Sequence, residues 1–334
     1  MDAWGNLRAD LEWRTGEPVL AFEPAASGSG GIKGIVRTAG DQYFVKAVPL
    51  DSPWLADCRV EAADRSPQSP RLRWTAEYAD HFVLVFDVAP GHEPAEPWME
   101  DELRRALAAT DHLEATYWPE AGGDAAGNVA GSEAAAAGRG VGGVDASIGG
   151  VVSSPASGAG GVGLPSVVER MRGRCSTWRE LELYGVRGEL DVEQLSGWER
   201  ANLRRLAEVE GEWERLVVGD ALLHFDLRHD NLRIDGRRVW VLDWGRACFG
   251  PDWVDAVCLL LESSIGSLDA DALFRETRRG AAADPAAVDA FLVALASYWR
   301  HVGSQPADEA SAWIRPRQVR SGEATVGWLR RRWG

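Results

Sequence analysis

The chain has 334 residues, with 36 Lys and Arg against 51 Asp and Glu and a formal charge of −15. An acidic balance of that size argues against sequence-independent nucleic-acid binding, which needs a basic footprint. The four cysteines lack metal-ligand spacing, and no segment is long and apolar enough to span a bilayer, so a disulfide scaffold, a zinc module and a membrane span are all excluded as expectations.

In chain order, Met1-Asp2-Ala3-Trp4-Gly5 has no basic region followed by an apolar run, so no signal peptide is expected. With Cys58, Cys175, Cys248 and Cys258 read as free thiols, the expected compartment is a reducing cytoplasm. Ser27-Gly28-Ser29-Gly30 opens a Gly-rich stretch whose backbone N–H groups and hydroxyls suit phosphates, although ordinary hairpins also carry glycines. Gln42 to Val48 alternates as a half-buried strand and carries Lys46. Positive charge in this chain is almost wholly arginine. The lysines are Lys33 and Lys46 alone, so a lysine kept on a strand suggests a need for a compact point charge there. After the Asp51-Ser52-Pro53 start signal a helix is expected, with Glu61 as the partner of Lys46 or as an exposed helix acid. His81 to Phe86 reads as an apolar strand broken by Asp87-Val88-Ala89-Pro90-Gly91, a hinge whose backbone groups can meet a purine edge.

A helical pattern follows from Glu102 to Leu113. Residues 120–163 are then almost wholly Gly, Ala, Ser and Val, too poor in apolar bulk to offset their ordering entropy. A flexible insertion is expected over about 120–164. Helical spacing of apolar residues returns over 192–217, and again over 286–299 and 310–333. The tryptophans on these faces are expected to be core.

The most informative stretch is His224-Phe225-Asp226-Leu227-Arg228-His229-Asp230-Asn231, followed by Leu242-Asp243-Trp244-Gly245. Ala221-Leu222-Leu223 leads into it, Asp235-Gly236 is a hairpin signal, and Arg238 to Leu242 is a second strand. The spacing H-x-D-x-x-x-x-N with a later Asp puts two acids and an amide where phosphoryl transfer needs them. Asp226 can orient a hydroxyl and accept its proton, and Asn231 and Asp243 offer hard oxygens to Mg2+. Arg228 suits either charge neutralisation on the transferring group or a structural ion pair. An ordinary surface hairpin also favours Asp and Asn at its ends, but not all three in this register.

Lys46, Glu61, His224-x-Asp226-Leu227-x-x-x-Asn231 and Asp243-Trp244 together resemble the aminoglycoside phosphotransferase and choline kinase-like group. The resemblance implies an α+β, two-lobed protein-kinase-like fold: a small antiparallel β-sheet lobe with one helix, and a larger, mainly helical lobe. It implies a nucleotide-binding lobe over 1–88, a hinge over 89–94 and a catalytic and substrate-binding lobe over 95–334. The implied activity is transfer of the ATP γ-phosphoryl group to a hydroxyl of a small molecule, an aminoglycoside-like antibiotic or amino sugar among the options. Asp226 would be the base, with His224, Arg228 and Asp255 supporting the catalytic loop. Ser27, Gly28, Ser29, Gly30, Lys46, Glu61, Asp87 and Val88 would bind ATP, and Asn231 and Asp243 would hold Mg2+. For Asp255, helix-dipole complementation is an equal alternative. The family usually has Gly where this chain has Phe225, whose bulk would reshape the loop or form a wall of the acceptor pocket. A nucleotide-binding pseudokinase serving as an interaction module is the alternative. A protein kinase is disfavoured by the lack of an Ala-Pro-Glu element after Asp243. Oligomeric state is not legible.

Overall fold

A computed structural model describes residues 3–25, 31–64, 66–78, 80–113, 163–263, 268–307, 312 and 314–334. The Ser27 to Gly30 loop, and all of the expected insertion except its last two residues, lie outside the described residues.

The N-terminal part is a five-stranded antiparallel sheet in the order β1 (Ala21–Pro24), β2 (Ile32–Arg37), β3 (Gln42–Pro49), β5 (His81–Asp87), β4 (Leu72–Glu77). Alternation along β3 decides what each sheet face carries. Tyr43, Val45 and Ala47 point to one face, where Leu7 and Leu11 of α1 (Ala3–Thr15) cover them. On the other face Val48, Phe82, Leu84 and Phe86 pack against Cys58 and Leu55 of α2 (Leu55–Ala63). Lys46 shares the parity of this second face. The sheet therefore lies between two helices; the sequence reading had only α2. Helix α2 starts close to its expected signal, with Trp54 at the N-cap.

The chain leaves the sheet after Asp87 and is tied at once to the remainder. His92 and Ile234 exchange both backbone hydrogen bonds, at 3.1 and 2.8 Å. Gly91 makes this approach possible: φ is 92°, and a Cβ there would meet the Ile234 carbonyl oxygen at 2.2 Å.

The larger part is mainly helical: α3 (Glu100–Thr110), α4 (Val167–Met171), α5 (Thr177–Tyr184), α6 (Gly197–Leu216), α7 (Val254–Ser263), α8 (Ala270–Glu276), α9 (Arg278–Ala282), α10 (Pro285–Ser304) and α11 (Arg315–Trp333). Three small antiparallel pairs join them: β6 (Val186–Arg187) with β7 (Leu190–Asp191), β8 (Ala221–Leu223) with β11 (Cys248–Gly250), and β9 (Leu232–Asp235) with β10 (Arg238–Val241). The helix expected over 192–217 is shorter than its periodicity suggested. Ser196 and Glu199 form a capping box that starts α6 at Gly197, leaving Leu195 extended. Helix α10 is the central rod, with Phe291, Leu292, Val293 and Leu295 fully buried. Trp178, Trp213, Trp244 and Trp328 are core, whereas Trp13 on α1 is 78% exposed. All four cysteines are free and buried, as expected. No helix among the described residues is long and apolar enough to cross a membrane.

Candidate active site

Strand β8 ends at Leu223, and the chain turns through His224 to Asn231 before entering the β9–β10 hairpin. This turn is held from behind. Asp255, fully buried at the start of α7, accepts the backbone N–H groups of His224 (2.7 Å) and Phe225 (2.8 Å). Two accepted N–H bonds favour the ionised carboxylate, although burial pushes its pKa up overall. Asp255 therefore does more than complement a helix dipole. His224 Nε2 donates to the Leu242 carbonyl at 2.8 Å, while its Nδ1 accepts the Asp226 N–H at 3.2 Å. The two bonds together require the neutral Nε2–H tautomer, and the ring packs edge-on to Trp244 at 5.0 Å.

Phe225 occupies the left-handed region with φ 63° and is fully buried in the large core. The ring lies within that core and is not among the residues that line the cavity between the sheet and the larger part. The backbone geometry accounts for glycine being usual here in the family, since only glycine adopts it without strain. In this chain the burial of an aromatic ring and the Asp255 hydrogen bond hold the strained conformation.

Asp226 is thereby presented next to Asn231, whose Nδ2 donates to the Asp226 carbonyl (2.9 Å) and Oδ2 (3.3 Å). With the amide nitrogen turned to Asp226, the Asn231 carbonyl oxygen is left facing the other way. Burial raises the Asp226 pKa, with Arg228 and Arg317 opposing. Arg228 pairs chiefly with Asp230 at 2.8 Å and lies 3.8 Å from Asp226, so in this state it is a member of a structural ion pair.

The hairpin returns the chain to Asp243, which also sits at a left-handed angle, φ 62°. Its Oδ1 meets Lys46 Nζ at 2.9 Å, and Lys46 Nζ meets Glu61 Oε2 at 2.9 Å. Three separate elements, β3, α2 and the turn after β10, thus converge on one ammonium. Burial would lower the Lys46 pKa, but the Asp243 and Glu61 carboxylates outweigh it and hold the lysine charged. The same proximity, with Lys33 adding to it, overcomes burial at Asp243 and holds its pKa below the usual carboxylate range.

Lys33 is the site residue that sequence reasoning left unassigned. It pairs in register with Lys46 across β2 and β3, so both ammonium groups emerge on one face, and its Nζ lies 3.8 Å from Asp243 Oδ2. The signal was present in composition: these two residues are the chain's entire lysine content.

Lys33, Lys46, Glu61, Arg228, Asn231 and Asp243, though not Asp226, line one cavity of about 510 Å3 between the sheet and the larger part. Ile35, Phe44, Phe86, Val88 and Ala89 give it an apolar end; Lys33, Lys46, Asn231 and Asp243 make the polar end. Asp87 reaches the cavity too, but its carboxylate is an ion-pair partner of Arg73, so backbone is what this residue offers a ligand. Among the described residues no group of three or more His, Cys, Asp or Glu is placed to hold a metal. Asn231 and Asp243 alone would be a partial set of hard oxygens. Magnesium suits such a set, because it keeps waters and phosphate oxygens in its shell and does not need a protein cage.

A model of the Phosphotransferase enzyme family, APH, matches residues 38–291. No curated protein sequence matches significantly. Among solved structures, a thermostable mutant of the aminoglycoside phosphotransferase APH(4)-Ia, in ternary complex with ADP and hygromycin B, is similar at 14% identity. That match covers 96% of this chain and 98% of the other, with a TM-score of 0.52. The choline kinase LicA from Streptococcus pneumoniae matches at 10% identity over 97% and 100%, TM-score 0.56. A putative fructosamine-3-kinase from Haemophilus somnus 129PT matches at 11% identity over 96% and 97%, TM-score 0.52. At such identities the structures speak for the fold, and the family match speaks for the chemistry. The fold is the α+β, two-lobed protein-kinase-like one, and the chain belongs to the Phosphotransferase enzyme family.

Proposed function

We propose that this protein transfers the γ-phosphoryl group of ATP to a hydroxyl of a small molecule. The observation that carries the reading is the convergence of Lys46, Glu61 and Asp243 within 2.9 Å contacts at the polar end of a cavity that Asn231 also lines, with Asp226 beside Asn231. In this reading residues 1–88 form the nucleotide lobe, 89–94 the hinge and 95–334 the catalytic lobe. The apolar end of the cavity takes the purine, with backbone at Asp87 and Val88 along its edge. Lys33 and Lys46 meet the phosphates, for which Ser27, Gly28, Ser29 and Gly30 would supply further N–H and hydroxyl donors.

Asn231 and Asp243 would hold Mg2+, which when bound neutralises charge on the phosphate oxygens. Asp226 aligns the acceptor hydroxyl and takes its proton as the new oxygen–phosphorus bond forms and the bond to the β-phosphate oxygen breaks, releasing ADP. A carboxylate whose pKa is raised by burial is a stronger base than an exposed one. The Asn231 amide and the backbone bonds to Asp255 fix its direction, which is where most of the rate in such transfers originates.

The acceptor class we propose is an aminoglycoside-like compound or amino sugar. Its support is the family match, the hygromycin B bound by one structural neighbour and a net charge of −15 that attracts cations. Four buried free thiols support a reducing, ATP-supplied compartment, the cytoplasm.

The test is ADP release in the presence of Mg·ATP and a panel of hydroxylated amines and sugars, with Asp226→Asn as the blank. Turnover by the wild type alone supports the reading. Absence of Mg·ATP binding by calorimetry overturns it.

A further inference from the structure

The Lys46–Glu61–Asp243 cluster draws on both lobes, so something must fix α2 against the turn that carries Asp243. Helix α2 is a wedge between two cores. Cys58, Leu55 and Ala62 pack with the small sheet, while Val60 and Ala63 pack with the large core. A third face, formed by Trp54, Asp57 and Glu61 at helical spacing of three and four, looks along residues 243–247.

On that face Asp57 is enclosed by cations from the other lobe. Its Oδ2 lies 3.5 Å from Arg246 Nε, and its Oδ1 lies 4.0 Å from Arg170 of α4. Arg246, with a side chain 7% exposed, also lies over the Trp54 ring at 5.3 Å. Arg170 reaches past Asp57 to the same turn, donating to the carbonyls of Ala247 at 2.9 Å and Gly245 at 3.4 Å. The fit leaves no space: a Cβ on Gly245 would sit 2.9 Å from Asp57 Cβ and 3.1 Å from its carbonyl oxygen. The turn two residues after Asp243 is thus pressed against α2 one helical turn before Glu61.

We propose that Asp57, with Arg246 and Arg170, is a clamp between the lobes that positions Glu61 and Asp243 about Lys46. Asp57 is a positioning residue: it touches neither nucleotide nor acceptor, and acts through the turn and the helix. Strand β11 and α7 follow the turn directly, with no long segment between that could lift α2 away. The site is therefore held assembled by the fold itself. This inference rests on the nucleotide reading given above.

The experiment is calorimetric titration of Mg·ATP, and separately of adenosine, into wild type, Asp57→Asn, Glu61→Gln and the double variant. Asp57→Asn is expected to weaken Mg·ATP about tenfold, the scale for losing a residue that orients a ligand-holding group. Adenosine affinity should stay within about twofold, since the apolar end is remote from the clamp. Because both substitutions loosen the same lysine, the double variant should bind Mg·ATP little worse than Glu61→Gln alone. Trp54→Ala, which loosens Arg246 without stranding a buried charge, should show a smaller shift in the same direction and covers the case that Asp57→Asn fails to fold. Unchanged Mg·ATP affinity in both variants, equal loss of adenosine and Mg·ATP, or full additivity would overturn the clamp. A wild type that binds neither ligand overturns the nucleotide reading instead.

Discussion

Phe225 offers a test in which backbone strain and side-chain burial pull in opposite directions. The residue is fully buried with φ 63°. Truncation to Ala removes the ring but keeps a Cβ in the left-handed region, so it should cost about 3–5 kcal/mol, the usual range for a core Phe. Glycine loses the same ring and adds roughly 0.5–1 kcal/mol of backbone entropy. It also relieves about 1–2 kcal/mol of left-handed strain that any Cβ incurs. Phe225→Gly should therefore be destabilised by about 3 kcal/mol, yet remain roughly 0.5–1 kcal/mol more stable than Phe225→Ala. At an ordinary buried position the order of Gly and Ala is the reverse. Urea unfolding of the three proteins, compared at equal slopes, measures the difference. If the Ala variant is the more stable of the two, the strain argument is wrong. If Gly exceeds the wild type, the ring contributes nothing to the core.

Asp226→Asn should bind Mg·ATP normally and lose at least about a hundredfold in turnover, measured as ADP release; near-normal turnover would remove Asp226 as the base. The same substitution bears on stability. A pKa raised by burial makes the ionised Asp226 a burden on the fold, so its contribution is most favourable below the ordinary carboxylate pKa and is lost as pH rises through the raised value. Asp226→Asn should thus melt higher than wild type at neutral pH, with the gap closing in acid; a constant gap would contradict the shift. Lys33→Met should weaken ATP about two- to fivefold, the scale of a partly exposed ion pair, with adenosine unaffected and Lys33→Arg restoring part of the loss. Asp243→Asn should reduce the dependence of nucleotide binding on magnesium, which titration with and without the metal would show.

What the sequence disclosed and what it hid follow from range. The turn from His224 to Asn231 and the hairpin after it are local: the chain reverses at Gly236-Arg237, one residue on from the expected Asp235-Gly236, with Asp235 paired to Arg238 and Gly236 at φ 58°. That return is what puts Asn231 and Asp243 on one side. Helix α1 was hard to read: Trp4, Leu7 and Leu11 recur at spacings of three and four, but the segment as a whole shows no marked apolar face. Lys33 needed more than a pattern. Its side of the sheet depends on the β2–β3 register, and a slip of one residue would send it to the α1 face. The Asp57–Arg246 contact joins residues far apart in the chain, and no local periodicity encodes it. Phe225 hid for a third reason: nothing in a residue's identity announces a positive φ when the residue is not glycine.

In the reading proposed above, Asp226 before the hairpin and Asp243 after it serve two different chemistries, and their surroundings differ accordingly. Asp226 is largely withdrawn from water and Asp243, about a third exposed, only partly, yet burial pushes both pKa values up. At Asp243, Lys46 and Lys33 reverse that effect and hold its pKa below the usual carboxylate range, which suits the metal-ligand role proposed for it. At Asp226 no cation sits as close. Arg228 stands 3.8 Å away and is committed to Asp230, so burial prevails and the carboxylate keeps an affinity for protons. Under the proposed roles, exchanging the two environments would give a base too weak to take a hydroxyl proton and a ligand that protonates in competition with its metal. In that reading the lysine pair divides the roles as well as meeting phosphates. That accounts for why two lysines persist at this cluster in a chain that otherwise carries its positive charge on arginine.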